Sequence, residues 1–157
     1  MSNILSISNK IKRFNKKITV SGDKSLSIRW ALLASQAIGR SKAYNLLMSE
    51  DVVATLESIK KLGVKVLLRK GVCEIFGNGI NGFKYKNGLT IDAKNSGTLG
   101  RLILGLLIKS PKKIKILGDK SLSKRDFSRV ITPLKKFGAK FFYKTKNKLP
   151  LLILGIP

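Results

Sequence analysis

The stretch Glu50-Asp51-Val52 through Lys60-Lys61-Leu62-Gly63-Val64-Lys65 returns 75 positions later as Arg125-Asp126-Phe127 through Lys135-Lys136-Phe137-Gly138-Ala139-Lys140. Inside it, Leu56 answers Ile131 and Ile59 answers Leu134. A second, partial match pairs Ser25…Arg29 with Gly97…Arg101, each opening an apolar-periodic stretch with an arginine four positions on. Internal repetition on this scale means one supersecondary unit used twice. Such a unit does not bury its apolar face alone; it needs neighbours.

Both copies read alike. In the first, a helix runs from Ser25 to about Ile38, with Leu26, Trp30, Leu33, Ala34 and Ala37 on one face and Gly39 as its stop. A strand follows near Ala43–Leu47. Ser49 is placed to cap a second helix, with Glu50 and Asp51 suited to its positive start. Val52, Val53, Leu56, Ile59 and Leu62 form its buried stripe, and Gly63 closes it. Strands at Val64–Leu68 and Val72–Phe76 end the copy. The second copy predicts a helix from Gly97 to about Ile108, with Leu99, Leu102, Ile103, Leu106 and Leu107 inward, and a strand at Ile114–Leu117. A helix from about Arg125 to Phe137 contains Pro133, which removes a donor. Strands at Lys140–Tyr143 and Leu151–Leu154 complete it. With lead-in strands at Ile18–Val20 and Leu89–Ile91, the alternation predicts an α/β fold with mixed sheets.

Composition narrows the chemistry. The 157 residues include no histidine, which excludes a Ser-His-Asp triad and histidine metal sites. The one cysteine, Cys73, excludes an intrachain disulfide and an all-cysteine zinc site. It lies in an alternating strand beside Glu74, as a structural thiol does. No apolar run is long enough to span a bilayer, and the N-terminus does not have the pattern of a signal peptide. The expectation is a cytoplasmic protein without membrane attachment. The net charge of +24 fits attraction to phosphorylated ligands or a polyanion. It equally fits coding bias, since 25 of the 32 basic residues are lysine. The lysines are scattered, without interleaved aromatics or a nucleic-acid motif.

Three segments carry candidate chemistry. Gly22-Asp23-Lys24-Ser25-Leu26-Ser27-Ile28-Arg29 is a glycine-led turn feeding a helix start, where backbone N–H groups favour an anion. Lys24 and Arg29 add charge, and the serines add hydroxyl donors. Asn95-Ser96-Gly97-Thr98-Leu99-Gly100-Arg101 is a second small-residue turn into a helix, and Gly97 allows close approach of a ligand. Gly118-Asp119-Lys120-Ser121-Leu122-Ser123-Lys124-Arg125 offers Arg125 as a two-pronged clamp for carboxylate or phosphate. Taken singly, each also reads as a capped helix start or loop in a basic protein. Gly77-Asn78-Gly79-Ile80-Asn81-Gly82 fits the dinucleotide glycine pattern, but no helix opens at its third glycine, so it reads as a connection.

Together, in this order and spacing, the three segments resemble the EPSP synthase (3-phosphoshikimate 1-carboxyvinyltransferase) family from about residue 10 onward. Asn45-Leu46-Leu47 and Glu50-Asp51-Val52 fit the same pattern. The resemblance implies the enolpyruvyl-transferase fold, two domains of three βαβαββ units each, with two of the six units present here. Residues 1–21 would be lead-in strands pairing with the second domain. Residues 22–157 would be an incomplete first domain, with unit one at about 22–80 and unit two at about 88–157. The implied reaction transfers the enolpyruvyl group of phosphoenolpyruvate to the 5-hydroxyl of shikimate 3-phosphate, releasing phosphate, with no cofactor and no metal. Carried over by residue, Lys24 would touch both substrates, and Ser25 and Arg29 would hold shikimate 3-phosphate. Gly97 and Arg125 would hold phosphoenolpyruvate, with Asn95 and Thr98 lining the same loop.

The resemblance assigns no catalytic proton carrier to this stretch. Family members are well over twice as long, so it also implies an N-terminal portion, inactive by itself, or one half of a split enzyme whose remainder is a separate chain. A basic module for nucleic acid or phosphate ligands on the same scaffold is the alternative. Two positions depart from the family pattern: Ser21 stands where proline is usual, and Lys94, where glycine is common, would put bulk and charge beside the Asn95 loop.

Overall fold

The computed structural model describes Ser6, Ser8, Arg13, Asn15 and residues 17–156. Helix α1 (Lys24–Gln36) leads into strand β1 (Ile38–Tyr44), α2 (Glu50–Lys61), β2 (Lys65–Arg69) and β3 (Val72–Asn78). Strand β4 (Leu89–Asp92) opens the second half, followed by α3 (Gly97–Leu106), β5 (Ile114–Leu117), the short α4 (Lys120–Lys124), α5 (Ser128–Lys136), β6 (Lys140–Tyr143) and β7 (Leu151–Leu154).

The strands form two sheets, ordered β1-β3-β2 and β4-β5-β7-β6. β3 runs antiparallel to both neighbours, and β7 does the same between β5 and β6. The two sheets are therefore the same arrangement, β1 answering β5, β3 answering β7 and β2 answering β6. The second sheet adds β4, parallel to β5 on its outer edge. The expected mixed α/β repeat is what the chain forms.

Helix ends follow local chemistry. The Asp23 carboxylate accepts from the Leu26 amide at 2.7 Å and starts α1. The Ser96 hydroxyl accepts from the Leu99 amide at 3.2 Å and starts α3. Gly63 (φ +85°) and Gly138 (φ +99°) take the left-handed conformation that lets the chain leave α2 and α5. Ser49 precedes α2, but its hydroxyl makes no capping bond; its carbonyl receives the Val52 and Val53 amides. Pro133 is accommodated in α5 at an exposed position. One continuous core of Ile28, Leu32, Val52, Ile59, Ile91, Ile103, Ile116 and Ile153, among others, runs between the helices and the inner faces of both sheets.

Four expectations are corrected. The strand after α1 begins at Ile38, one residue past the helix cap, and Gly39 lies inside it rather than stopping the helix. Leu26, Leu33 and Ala37 face outward: α1 buries Ser27, Ile28, Ala31, Leu32, Ala34 and Ser35, so of the expected face only Ala34 is fully inside and Trp30 packs partly buried against the core. The helix expected from Arg125 begins only at Ser128, as α5, because Arg125 is extended and closes a separate short helix, α4, that was not expected. No strand forms at Ile18–Val20: residues 17–23 have no regular structure, and Asn45 Nδ2 donates to the Val20 carbonyl at 2.9 Å in place of a ladder. Most of the expected lead-in at residues 1–21 lies outside the described residues.

Candidate functional site

The two halves of the repeat bring their helix starts together. Lys24 and Arg29 come from the first turns of α1, Asp51 from the start of α2, Gly97, Thr98, Arg101 and Leu102 from α3, Asn95 from the turn before it, and Arg125 from the end of α4. These residues line one cavity of about 460 Å³. Of the residues expected to bind, Lys24, Arg29, Asn95, Gly97, Thr98 and Arg125 meet there. Ser25 is half-buried in the first turn of α1 and does not line the cavity.

Charge dominates the lining. Lys24, Arg29, Arg101 and Arg125 bring four cations against one carboxylate, Asp51. Lys24 Nζ lies 3.2 Å from Asp51 Oδ2, with the lysine side chain 51 % exposed and the aspartate 19 %. An exposed pair of this kind contributes little stability, ~0–1 kcal/mol; its role is to hold the ammonium at the cavity wall. The surplus of cations suits a ligand carrying phosphate or carboxylate groups.

The far wall is a connected polar chain. Asn95 Nδ2 donates to Asp119 Oδ2 at 2.5 Å, and Arg125 Nη2 donates to Asn95 Oδ1 at 3.4 Å. Asp119 also accepts the Leu122 amide at 2.7 Å, capping α4. The Leu122 amide, then the Asn95 side chain, hold the Asp119 carboxyl below the usual aspartate range. Gly97 has no room for a side chain: a Cβ there would stand 2.8 Å from Arg101 Nη1 and 3.1 Å from Arg125 Nη1.

Sequence reading missed Arg101 and Asp51 as members of the site. Both had a signal: Arg101 matches Arg29 in the helix-start repeat, and Asp51 opens α2 beside the first glycine-led turn. Lys94 does not crowd the site. It takes a left-handed conformation (φ +51°) and pairs with Asp92 at 2.9 Å, away from the lining. That pairing raises the Lys94 pKa.

Other candidates fall away. Burial raises the pKa of Cys73, so its thiol is not an activated nucleophile. Gly79–Gly82 turn out of β3 without starting a helix, as expected of a connection. Among the described residues, no helix is long and apolar enough to cross a membrane, and no three His, Cys, Asp or Glu side chains gather around a metal position.

Comparison with known proteins points the same way. A family model described as EPSP synthase (3-phosphoshikimate 1-carboxyvinyltransferase) matches residues 8–156. The chain is similar to the 3-phosphoshikimate 1-carboxyvinyltransferase of Zymomonas mobilis, 36% identical over 151 residues, which are 96% of this chain and 33% of that one. It is 40% identical over 147 residues to that of Sulfurihydrogenibium sp., covering 93% of this chain and 34% of the relative. Among solved structures, an EPSP synthase from Acinetobacter baumannii superposes with a TM-score of 0.81 at 35% identity, over 89% of this chain and 32% of that chain. The chain thus spans about a third of the length of the relatives it matches.

Proposed function

Because this chain belongs to the EPSP synthase family, we propose that its cavity holds phosphoenolpyruvate and shikimate 3-phosphate for enolpyruvyl transfer. The observation that carries the reading is the convergence of Lys24, Arg29, Arg101 and Arg125 on one cavity beside the helix start at Gly97. Both substrates are phosphorylated anions, and the Arg29 and Arg125 guanidiniums offer planar forks matched to phosphate or carboxylate. Lys24, between the two helix starts, is the group that would serve both substrates. Arg29, with Ser25 behind it, would take shikimate 3-phosphate. Arg125, Gly97, Asn95 and Thr98 would take phosphoenolpyruvate.

In the reaction, the 5-hydroxyl loses its proton as its oxygen bonds to C2 of phosphoenolpyruvate, while C3 gains a proton. The tetrahedral intermediate then loses phosphate from C2 and the proton from C3. Cations around the phosphate stabilise the charge it carries away. Among the described residues that line the cavity, the one carboxylate, Asp51, is engaged by Lys24. In this reading the residues here bind and neutralise, and the chain by itself does not turn over. No cofactor enters this reading.

Calorimetric titration of the purified chain tests it. Phosphoenolpyruvate and shikimate 3-phosphate should bind, and Lys24→Ala or Arg125→Ala should each weaken phosphoenolpyruvate about tenfold or more, the loss of a charged hydrogen-bond partner. Affinity unaffected by both changes refutes the site. Product formation by the chain without any added protein refutes the division of labour.

A further inference from the structure

Arg101 lines the cavity, yet its guanidinium is committed elsewhere. Its Nη1 donates to the Gly97 carbonyl at 3.3 Å and its Nη2 to the Asp126 carbonyl at 3.0 Å. Its Cζ lies over the ring of Phe127, 4.8 Å from the centroid, and Phe127 is fully buried. One side chain thus ties the first turn of α3 to the segment between α4 and α5. That segment carries Arg125, one residue before Asp126. Arg101 and Arg125 also flank the bare Cα of Gly97 from two directions, at 2.8 and 3.1 Å from where a Cβ would stand.

We infer that Arg101 is a positioning residue: it fixes the Gly97 backbone and the Arg125 guanidinium relative to each other, and acts on the ligand through them. The Asn95–Asp119 hydrogen bond separately ties the turn before α3 to the start of α4. Arg125 has only one hydrogen bond from its side chain among the described residues, a long one of 3.4 Å to Asn95, so its own contacts do not fix it. The Arg101 brace does, because a buried aromatic ring and two carbonyls in different elements define the guanidinium plane. A lysine at 101 would keep the charge and lose the plane and the two-carbonyl bridge.

The consequence for binding rests on the phosphoenolpyruvate reading above; the bracing itself does not. The test compares the intact chain with Arg101→Lys and with Phe127→Leu, which removes the ring and leaves every cavity side chain in place. Nuclear magnetic relaxation of the Gly97 amide and the Arg125 Nε–H reads the bracing without ligand, once amide dispersion shows each variant folded. Both sites should be rigid in the parent and loosen in both variants. Phosphoenolpyruvate should bind about tenfold more weakly to Arg101→Lys, with lysine giving no rescue. Unchanged relaxation at Gly97 and Arg125 in the folded variants overturns the inference, whatever the affinities. So does full affinity in Arg101→Lys when the parent binds. A parent that binds no phosphoenolpyruvate removes the functional reading, and the relaxation comparison still decides the bracing.

Discussion

A methyl group at position 97 would meet Arg101 Nη1 at 2.8 Å and Arg125 Nη1 at 3.1 Å, both ends of flexible side chains rather than backbone. Gly97→Ala should therefore fold, since no backbone is displaced, while pushing the two guanidinium groups away from the helix start. We expect an unfolding midpoint within a few degrees of the parent and weaker phosphoenolpyruvate binding; equal affinity by calorimetry would show that the crowding is absorbed without consequence. Asp119 gives a second prediction at this scale. Its carboxyl titrates below the usual range in the folded chain, held by the Leu122 amide and Asn95. The folded state therefore binds fewer protons there than the unfolded state. The stabilisation is complete above the ordinary aspartate value of about 3.9 and is lost as pH falls through the lower folded value. The Asn95 side-chain amide resonances should hold their positions as pH falls past 4 and shift only below it. Movement centred on the ordinary value would show that Asp119 is not held.

At the scale of elements, the hexapeptide Gly-Asp-Lys-Ser-Leu-Ser occurs twice, at 22–27 and 118–123, and both copies start a helix in the same way. Asp23 and Asp119 each accept an amide three residues on, at 2.7 Å. The first helix then runs through Gln36, while the second ends at Lys124. The residues after the hexapeptide make the difference: Ile28, Ala31 and Leu32 extend an apolar face that packs, whereas Arg125 and Asp126 have none to extend. Legibility varied in the same way along the chain. The strands β5, β6 and β7 lie where the alternation put them, because half-buried strands write their burial into a period of two. β1 was misplaced because Gly39-Arg40-Ser41-Lys42 has no such pattern; pairing to β3, distant in sequence, makes it a strand. α4 is too short to show periodicity. The cavity was legible as three separate motifs, but Arg101's part in it depends on Phe127, which only the fold brings near. One anchoring bond is testable by itself. The Ser27 hydroxyl accepts the Leu47 amide at 3.1 Å and donates to the Asp23 carbonyl at 2.6 Å, tying α1 to the connection before α2. Ser27→Ala leaves that amide without its partner beside the core, which costs ~1–3 kcal/mol. Denaturant titration should find a loss in this range, and a neutral result would mean the connection finds water instead.

Across the whole molecule, the two sheets match strand for strand except at one edge. β5 is flanked by β4, while β1 has no neighbour on the corresponding side among the described residues. Helix α1 is incomplete in the same sense. Leu122 of the second hexapeptide is fully buried, but Leu26 of the first is 65% exposed, Leu33 is 69% exposed, and Ile38 at the start of β1 is 95% exposed. These lie on or beside the outward side chains Leu26, Leu33 and Ala37, so α1 is apolar on both faces, as a helix enclosed on all sides would be. The periodicity could not choose between two apolar faces, which is why it named the outer one. An apolar stripe beside an open strand edge promotes association, and the net charge of +24 opposes it. Which wins depends on ionic strength, because salt screens the repulsion within about 10 Å at 0.1 M and leaves the apolar contact intact. We therefore expect the purified chain to be monomeric at low salt and to self-associate, with rising fluorescence of an apolar-surface dye, as salt is added. Leu26→Glu together with Leu33→Lys should abolish both effects with little change in the unfolding midpoint, since neither side chain is in the core. Sedimentation velocity over a salt series distinguishes the outcomes: association unchanged by the double substitution would move the sticky surface away from α1, and a monomer at all salts would show that charge outweighs the exposed stripe.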